Sequence, residues 1–109
     1  MKRTLMSCAV ASLLVSGSAL AAWPEKPIQI IVPWGAGGNT DTVARLVAEG
    51  LQKELKVNVN VVNRTGGAGV VGHDAIAKAK ADGYTLGIAT VEITMMHHQG
   101  MTALTYQNY

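Results

Sequence analysis

The groups best placed for chemistry in this chain belong to the backbone more than to the side chains. Pro33-Trp34-Gly35-Ala36-Gly37-Gly38-Asn39-Thr40-Asp41 joins a β-branched apolar run to a helical repeat. Ligands of open α/β sheets bind at such strand ends. Glycine lets a ligand approach the main chain, and the first N–H groups of a helix have no partner within it. Trp34, Gly35, Ala36, Gly37, Gly38, Asn39, Thr40 and Asp41 are therefore a candidate anion site, suited to a carboxylate. No Gly-Lys-Ser/Thr follows, so this is not a phosphate loop. The same pattern also fits a tight turn with Asp41 as a helix-start residue, and the local sequence leaves both readings open.

A second glycine-rich stretch runs from Asn63 to Gly72. Gly67, Gly69 and Gly72 satisfy G-x-G-x-x-G, and Glu92 falls 20 residues past Gly72, where a ribose-binding acid would stand. That pattern supports a rival reading, a dinucleotide-binding, Rossmann-type enzyme fragment. The turn from Val62 to Gly67 is longer than a dinucleotide turn, which favours instead a loop that supports a pocket, with Ala68 a ligand-binding candidate. A third candidate is Thr90-Val91-Glu92-Ile93-Thr94, where Thr90 and Glu92 can face the same pocket as the first loop. His97 and His98 are adjacent, and neighbouring side chains diverge on a helix or a strand. With no H-x-x-x-H nearby they make a poor metal pair, and Met95, Met96 and Met101 read as core filler. No Ser-His-Asp or Cys-His grouping assembles, so the expectation is a binding protein with no catalytic residues, no metal and no cofactor.

The elements that must position these loops alternate strand and helix. Ile28–Val32 reads as a buried strand and Thr40–Leu55 as a helix. Val43, Val47, Leu51 and Leu55, with Leu46 beside them, predict the helix's buried stripe, and Asn39 or Thr40 its cap. Residues 57–62 alternate as a half-exposed strand near a sheet edge. A second helix is expected from Val70 or Val71 to Ala81, a turn at Asp82-Gly83, and a third strand over residues 84–90. Helices between successive strands imply right-handed crossovers and a parallel sheet, an α/β fold. From Gln99 to Tyr109 no element is expected.

The first 22 residues have the order of a secretory signal peptide: Lys2 and Arg3, an apolar run from Leu5 to Val15, then Ala19-Leu20-Ala21. Cleavage after Ala21 or Ala22 fits equally. The expected product is residues 23–109, exported to the periplasm, with no membrane insertion. The formal charge of +2 (nine Lys and Arg, seven Asp and Glu) falls to zero once Lys2 and Arg3 are removed, leaving no basic bias toward nucleic acid. Cys8 lies in the leader, so the product has no disulfide and must hold together by its core.

Trp23-Pro24-Glu25-Lys26-Pro27-Ile28 and the loop from Pro33 to Asp41 resemble the start of the tripartite tricarboxylate transporter receptors, the Bug family. Asn63 to Gly69 resembles that family's second signature loop, usually with Pro where Thr65 stands, and Asp82-Gly83-Tyr84-Thr85-Leu86 its third. The resemblance implies a two-lobed periplasmic-binding-protein fold, of which residues 23–109 would be the opening part of the first lobe, the second being missing. It implies small carboxylate ligands, delivered to membrane permease subunits. It also implies that the loop from Gly35 to Asp41 holds a ligand carboxylate through N–H groups and water, with contacts from Thr90 to Glu92. Asp41 and Glu92 depart from an anion-friendly pocket: either would repel a carboxylate or meet an ammonium or hydroxyl. A lone lobe is expected to bind weakly or not at all, and a receptor remnant without function is the further alternative.

Overall fold

In the computed structural model, residues 22–109 are described; the expected leader lies outside them. The element order is β1 (Ile28–Val32), α1 (Asn39–Leu55), β2 (Val59–Asn63), α2 (Val70–Ala77) and β3 (Thr85–Gly87). The three strands form a parallel sheet in the order β2-β1-β3, with Ile30 beside Val61 on one side and Leu86 on the other. This is the expected α/β architecture, with β2 at an edge.

β1 is central because it is the most apolar run. Ile28, Ile30, Ile31 and Val32 are all buried, each such side chain stabilising the fold by about 1.5–3 kcal/mol. The two faces can be told apart. Ile28, Ile30 and Val32 share a cluster with Ala44 and Ala48 of α1. Ile31 sits beside Gly87, and a Cβ on Gly87 would lie 2.5 Å from Ile76 of α2. α1 and α2 therefore cover opposite faces, as right-handed crossovers in opposite directions require.

Several boundaries and one face differ from the expectations. α1 buries Asp41, Ala44 and Ala48 and half-buries Leu51 and Leu55, while Val43, Leu46 and Val47 are exposed. The inward face is thus rotated from the predicted stripe: alanines let the helix lie close to β1, and Asp41 turns in to bond the preceding loop. Gly38, not Asn39 or Thr40, occupies the cap position, and no side chain caps it. α2 stops at Ala77, short of the predicted Ala81. β3 has three residues, although Gln29 N–H to Tyr84 O and Ile88 N–H to Ile31 O extend its pairing by one residue at each end. The segment after β3 contains short 3₁₀ turns at Val91–Thr94 and Tyr106–Asn108.

Two of the motifs that carried the resemblance meet at the N-terminal end of the sheet. Trp23 packs on Gly83 and lies 6.0 Å from the Tyr84 ring. Glu25 N–H donates to the Tyr84 hydroxyl at 2.9 Å, and Lys26 Nζ sits 4.4 Å from the ring centroid. Trp23-Pro24-Glu25-Lys26 and Asp82-Gly83-Tyr84 are thus a clasp between the ends of β1 and β3, on the edge of the sheet away from the candidate site.

Candidate functional site

Because the strands are parallel, the loops after β1, β2 and β3 all leave the same edge of the sheet. Two hydrogen-bonded knots tie them together.

The first is centred on Asp41, which is 2% exposed. Its Oδ2 accepts from Gly37 N–H and Arg45 Nε, both at 2.9 Å. Its Oδ1 accepts from Arg45 Nη2 at 3.1 Å and Asn63 Nδ2 at 2.9 Å. Asn63 Nδ2 also donates to Trp34 O at 2.9 Å. The Arg45 guanidinium first, then the Gly37 and Asn63 donors, hold the Asp41 carboxyl well below the usual carboxylate range. Asp41 therefore stays ionised with both oxygens engaged, and its charge is directed inward. It shapes the loop from Trp34 to Thr40. The first backbone bond of α1 runs from Thr42 N–H to Gly38 O. The N–H groups of Asn39, Thr40 and Asp41 precede that ladder, at the positive end of the helix dipole. Gly35, Ala36, Gly37, Gly38 and Asn39 are exposed and Thr40 half-buried. This exposed turn presents main chain, and Gly37 adopts φ +85°, where a side chain would be strained.

The second knot is centred on the Thr90 hydroxyl. Trp34 Nε1 donates to Thr90 Oγ1 at 3.2 Å, and His73 Nε2 lies 3.0 Å from the same oxygen. The Thr90 hydroxyl is the largest influence holding the nearby Glu92 carboxyl below its ordinary value. A hydroxyl has one proton to give. If it goes to Glu92, His73 must donate from Nε2 and carry a bare Nδ1. That nitrogen is buried without a partner among the described residues, as is Glu92 Oε2. Burial pushes the fully enclosed His73 below its ordinary value, with Glu92 opposing, so the ring is neutral at pH 7. Tyr109 closes the knot from behind, its hydroxyl donating to His73 O at 3.2 Å.

The loop after β2 gives these knots their shape. Gly66, Gly67, Ala68 and Gly69 all have positive φ, and Ala68 does so without the freedom of glycine. Ala68 is exposed, while Gly69 is buried, with the Trp34 ring 3.2 Å from where its Cβ would stand. At Gly72 a Cβ would fall 2.4 Å from Pro33 Cα. Of the glycines that suggested a dinucleotide fingerprint, Gly69 and Gly72 let this loop pack against Trp34 and Pro33, while Gly67 stands beside Val70.

The structure thus joins Trp34 and Thr90 in one knot, with Glu92 beside it, and Gly37 and Asp41 in the other, and leaves Gly35, Ala36, Gly38, Asn39 and Ala68 on the exposed rim. Sequence reasoning gave His73 no role. A polar residue on an alanine-rich helix, next to the glycine loop, was the available signal. His97 and His98 do not diverge: their rings meet edge to face at 5.6 Å in a turn, beside a cavity of about 220 Å³ also lined by Tyr106 and Gln107. Among the described residues no cluster of metal-ligating side chains occurs, and no helix is long and apolar enough to cross a membrane.

Loops after three parallel strands, tied to one another through Asp41, Asn63 and Thr90, define one end of an α/β lobe. Comparison with known proteins makes the class specific. The pattern of the tripartite tricarboxylate transporter family receptors matches residues 43–109, and the chain belongs to that family, whose members are solute-binding receptors and not enzymes. It is 46% identical over 84 residues to Protein BugT of Bordetella pertussis, a match covering 72% of this chain and 26% of that protein. It is 44% identical over 85 residues to a UPF0065 protein of Bordetella bronchiseptica, covering 77% of this chain and 25% of that one. Among solved structures it is similar to a TctC solute-binding protein from Polaromonas, with a TM-score of 0.73, 33% identity, and coverage of 78% of this chain and 30% of that one. It is also similar to an R. palustris protein solved with adipate, with a TM-score of 0.63, 38% identity, and coverage of 65% and 24%. The periplasmic binding protein BugD is a further relative in structure, at 42% identity, a TM-score of 0.57, and coverage of 60% and 22%. The chain spans about a quarter of the length of the curated relatives it matches. These comparisons give the dinucleotide-enzyme reading no support.

Proposed function

We propose that this chain supplies the carboxylate-binding loops of a periplasmic solute receptor, the ligand being a small di- or tricarboxylate passed on to a membrane permease. The observation that carries this reading is the loop from Trp34 to Thr40. Its residues 35–39 are exposed at the start of α1, while Asp41, Arg45 and Asn63 hold it from behind. An anion at that point gains the helix-end field and main-chain donors. Ordered water can complete the contacts at little cost. The adipate found with the R. palustris relative supports a carboxylate ligand. Residues 1–22 act in this reading as the export signal and residues 23–109 as the beginning of the first lobe, with Trp34 to Asp41, Ala68, Thr90 and Glu92 lining or shaping the site.

The affinity of these loops alone is weak, because one wall of a cleft leaves the ligand in water. Thermal unfolding of the full chain with citrate and a panel of dicarboxylates tests the reading. A ligand that binds only the folded state must raise the midpoint. The expected result is a rise with at least one carboxylate and none with chloride at equal ionic strength. No rise with any carboxylate contradicts the reading, and a large rise at micromolar citrate contradicts the weakness assigned to the isolated loops.

A further inference from the structure

We propose that the free edge of β2, with the groove beside α1, docks an extended segment of another polypeptide, which joins the sheet as a fourth strand. The inference is independent of the carboxylate site: it concerns the flank of the sheet, not the loops at its end. In the ladder to β1, Ile28 N–H donates to Asn58 O and Arg64 N–H donates to Val32 O. Residues 58, 60, 62 and 64 therefore turn their peptide groups toward β1, and Val59, Val61 and Asn63 turn theirs outward.

Val59 N–H, the first outward donor, is met by Gln52 Oε1 of α1 at 3.2 Å. A side-chain amide is chemically a peptide group, and this one accepts where the carbonyl of a neighbouring strand would. The outward groups of Val61 and Asn63 have no such partner among the described residues. Sheet edges are commonly blunted by Lys, Pro or a bulge. β2 reads Val-Asn-Val-Val-Asn, in unbroken register with β1, and has none of these. The edge is also walled. Arg45, Ala48, Glu49 and Gln52 of α1 line, with Val59 and Val61, a groove of about 410 Å³. An edge strand beside a helix lets main-chain bonds give affinity while alternate side chains enter the groove. Every second residue of the segment faces Ala48, Val59 and Val61, and small apolar side chains suit that floor. An acidic residue suits the end beside Arg45, whose Nη1 has no partner among the described residues. A lone segment fits better than a second copy of this chain. Paired antiparallel across the edge, a second copy would bring the Arg45–Gln52 flank of its own α1 into the same space.

The probe is a capped hexapeptide of alternating valine and threonine with one glutamate, added to the full chain and followed by amide NMR. The largest shifts are expected at Val61 and Asn63. Two further versions of the peptide carry N-methyl groups on one or the other set of alternate amides. A strand pairs through the amides of one edge only. One version should therefore lose affinity about tenfold or more and the other should keep it. Gln52→Ala uncovers Val59 N–H and should tighten binding severalfold. Absence of shifts on β2, or equal binding of the two methylated peptides, would overturn the proposal. So would a dimer of the chain alone that shifts the Val61 and Asn63 amides with concentration, since the edge would then serve self-pairing.

Discussion

Asn63, the last residue of β2, donates from one side-chain nitrogen to both Asp41 Oδ1 and Trp34 O, each at 2.9 Å. One amide thus fixes the start of α1 to the loop after β1 and ties both to the neighbouring strand. Replacing it with Leu keeps bulk and removes the donor. Asn63→Leu is expected to lower the unfolding midpoint and to broaden the amide signals of Gly35 to Gly38. Unchanged loop signals would show that Arg45 and Gly37 suffice to hold Asp41.

Space beside two glycines predicts opposite effects for one substitution. A Cβ at Gly72 would lie 2.4 Å from Pro33 Cα and 2.6 Å from Arg64 O, both backbone atoms that cannot yield cheaply. Gly72→Ala should cost about 3 kcal/mol or more by urea unfolding. Gly50 in α1 has nothing near its absent Cβ, so Gly50→Ala should stabilise by about 0.5–1 kcal/mol.

The rotated face of α1 is tested by pairing two substitutions. Leu46 is 65% exposed and Ala48 6%. Leu46→Ser is expected to change stability by no more than about 0.5 kcal/mol. Ala48→Leu should destabilise by about 1–3 kcal/mol, since the added volume meets β1 and β2. The reverse ranking would restore the stripe predicted from sequence.

Stability should fall on the acid side in two stages. His73 titrates below its ordinary value of 6.5 because burial disfavours its charged form. The unfolded chain therefore binds a proton first, and stability present above 6.5 is lost as pH falls from there toward the lowered folded value. Asp41 titrates below its ordinary value of 3.8, held there chiefly by Arg45. Its contribution is complete above 3.8 and is lost as pH falls below it. Urea midpoints measured across this range check both stages. His73→Gln should flatten the upper stage and leave the lower one, whereas an unchanged upper stage would place the titrating group elsewhere.

The layout of the fold was legible because periodicity and punctuation agree. β1 is β-branched between two prolines, each helix is preceded by a glycine loop, and Asp82-Gly83 marks a turn. The strand order was not legible: right-handed crossovers fit β1-β2-β3 with both helices on one face as well as the observed β2-β1-β3 with one helix on each. The inward face of α1 was not legible, because a stripe of Val and Leu outweighs two alanines in any apolarity count. What set the face was close approach to β1 and the inward turn of Asp41, both tertiary effects. The candidate loops could be named from glycines and strand ends, but their wiring could not. Asn63 to Asp41 spans 22 residues and Trp34 to Thr90 spans 56, and nothing local announces either bond. His73 was missed for the same reason: its partners lie on other elements.

The most direct test of the central claim is an amide-resolved NMR titration of the full chain with a dicarboxylate. Binding at the helix start predicts the largest shifts at Gly38, Asn39, Thr40 and the Trp34 indole, saturating together, with little change at the Trp23–Tyr84 clasp. Shifts confined to the cavity beside His97, His98 and Tyr106, or none at the loop up to saturating ligand, would contradict it.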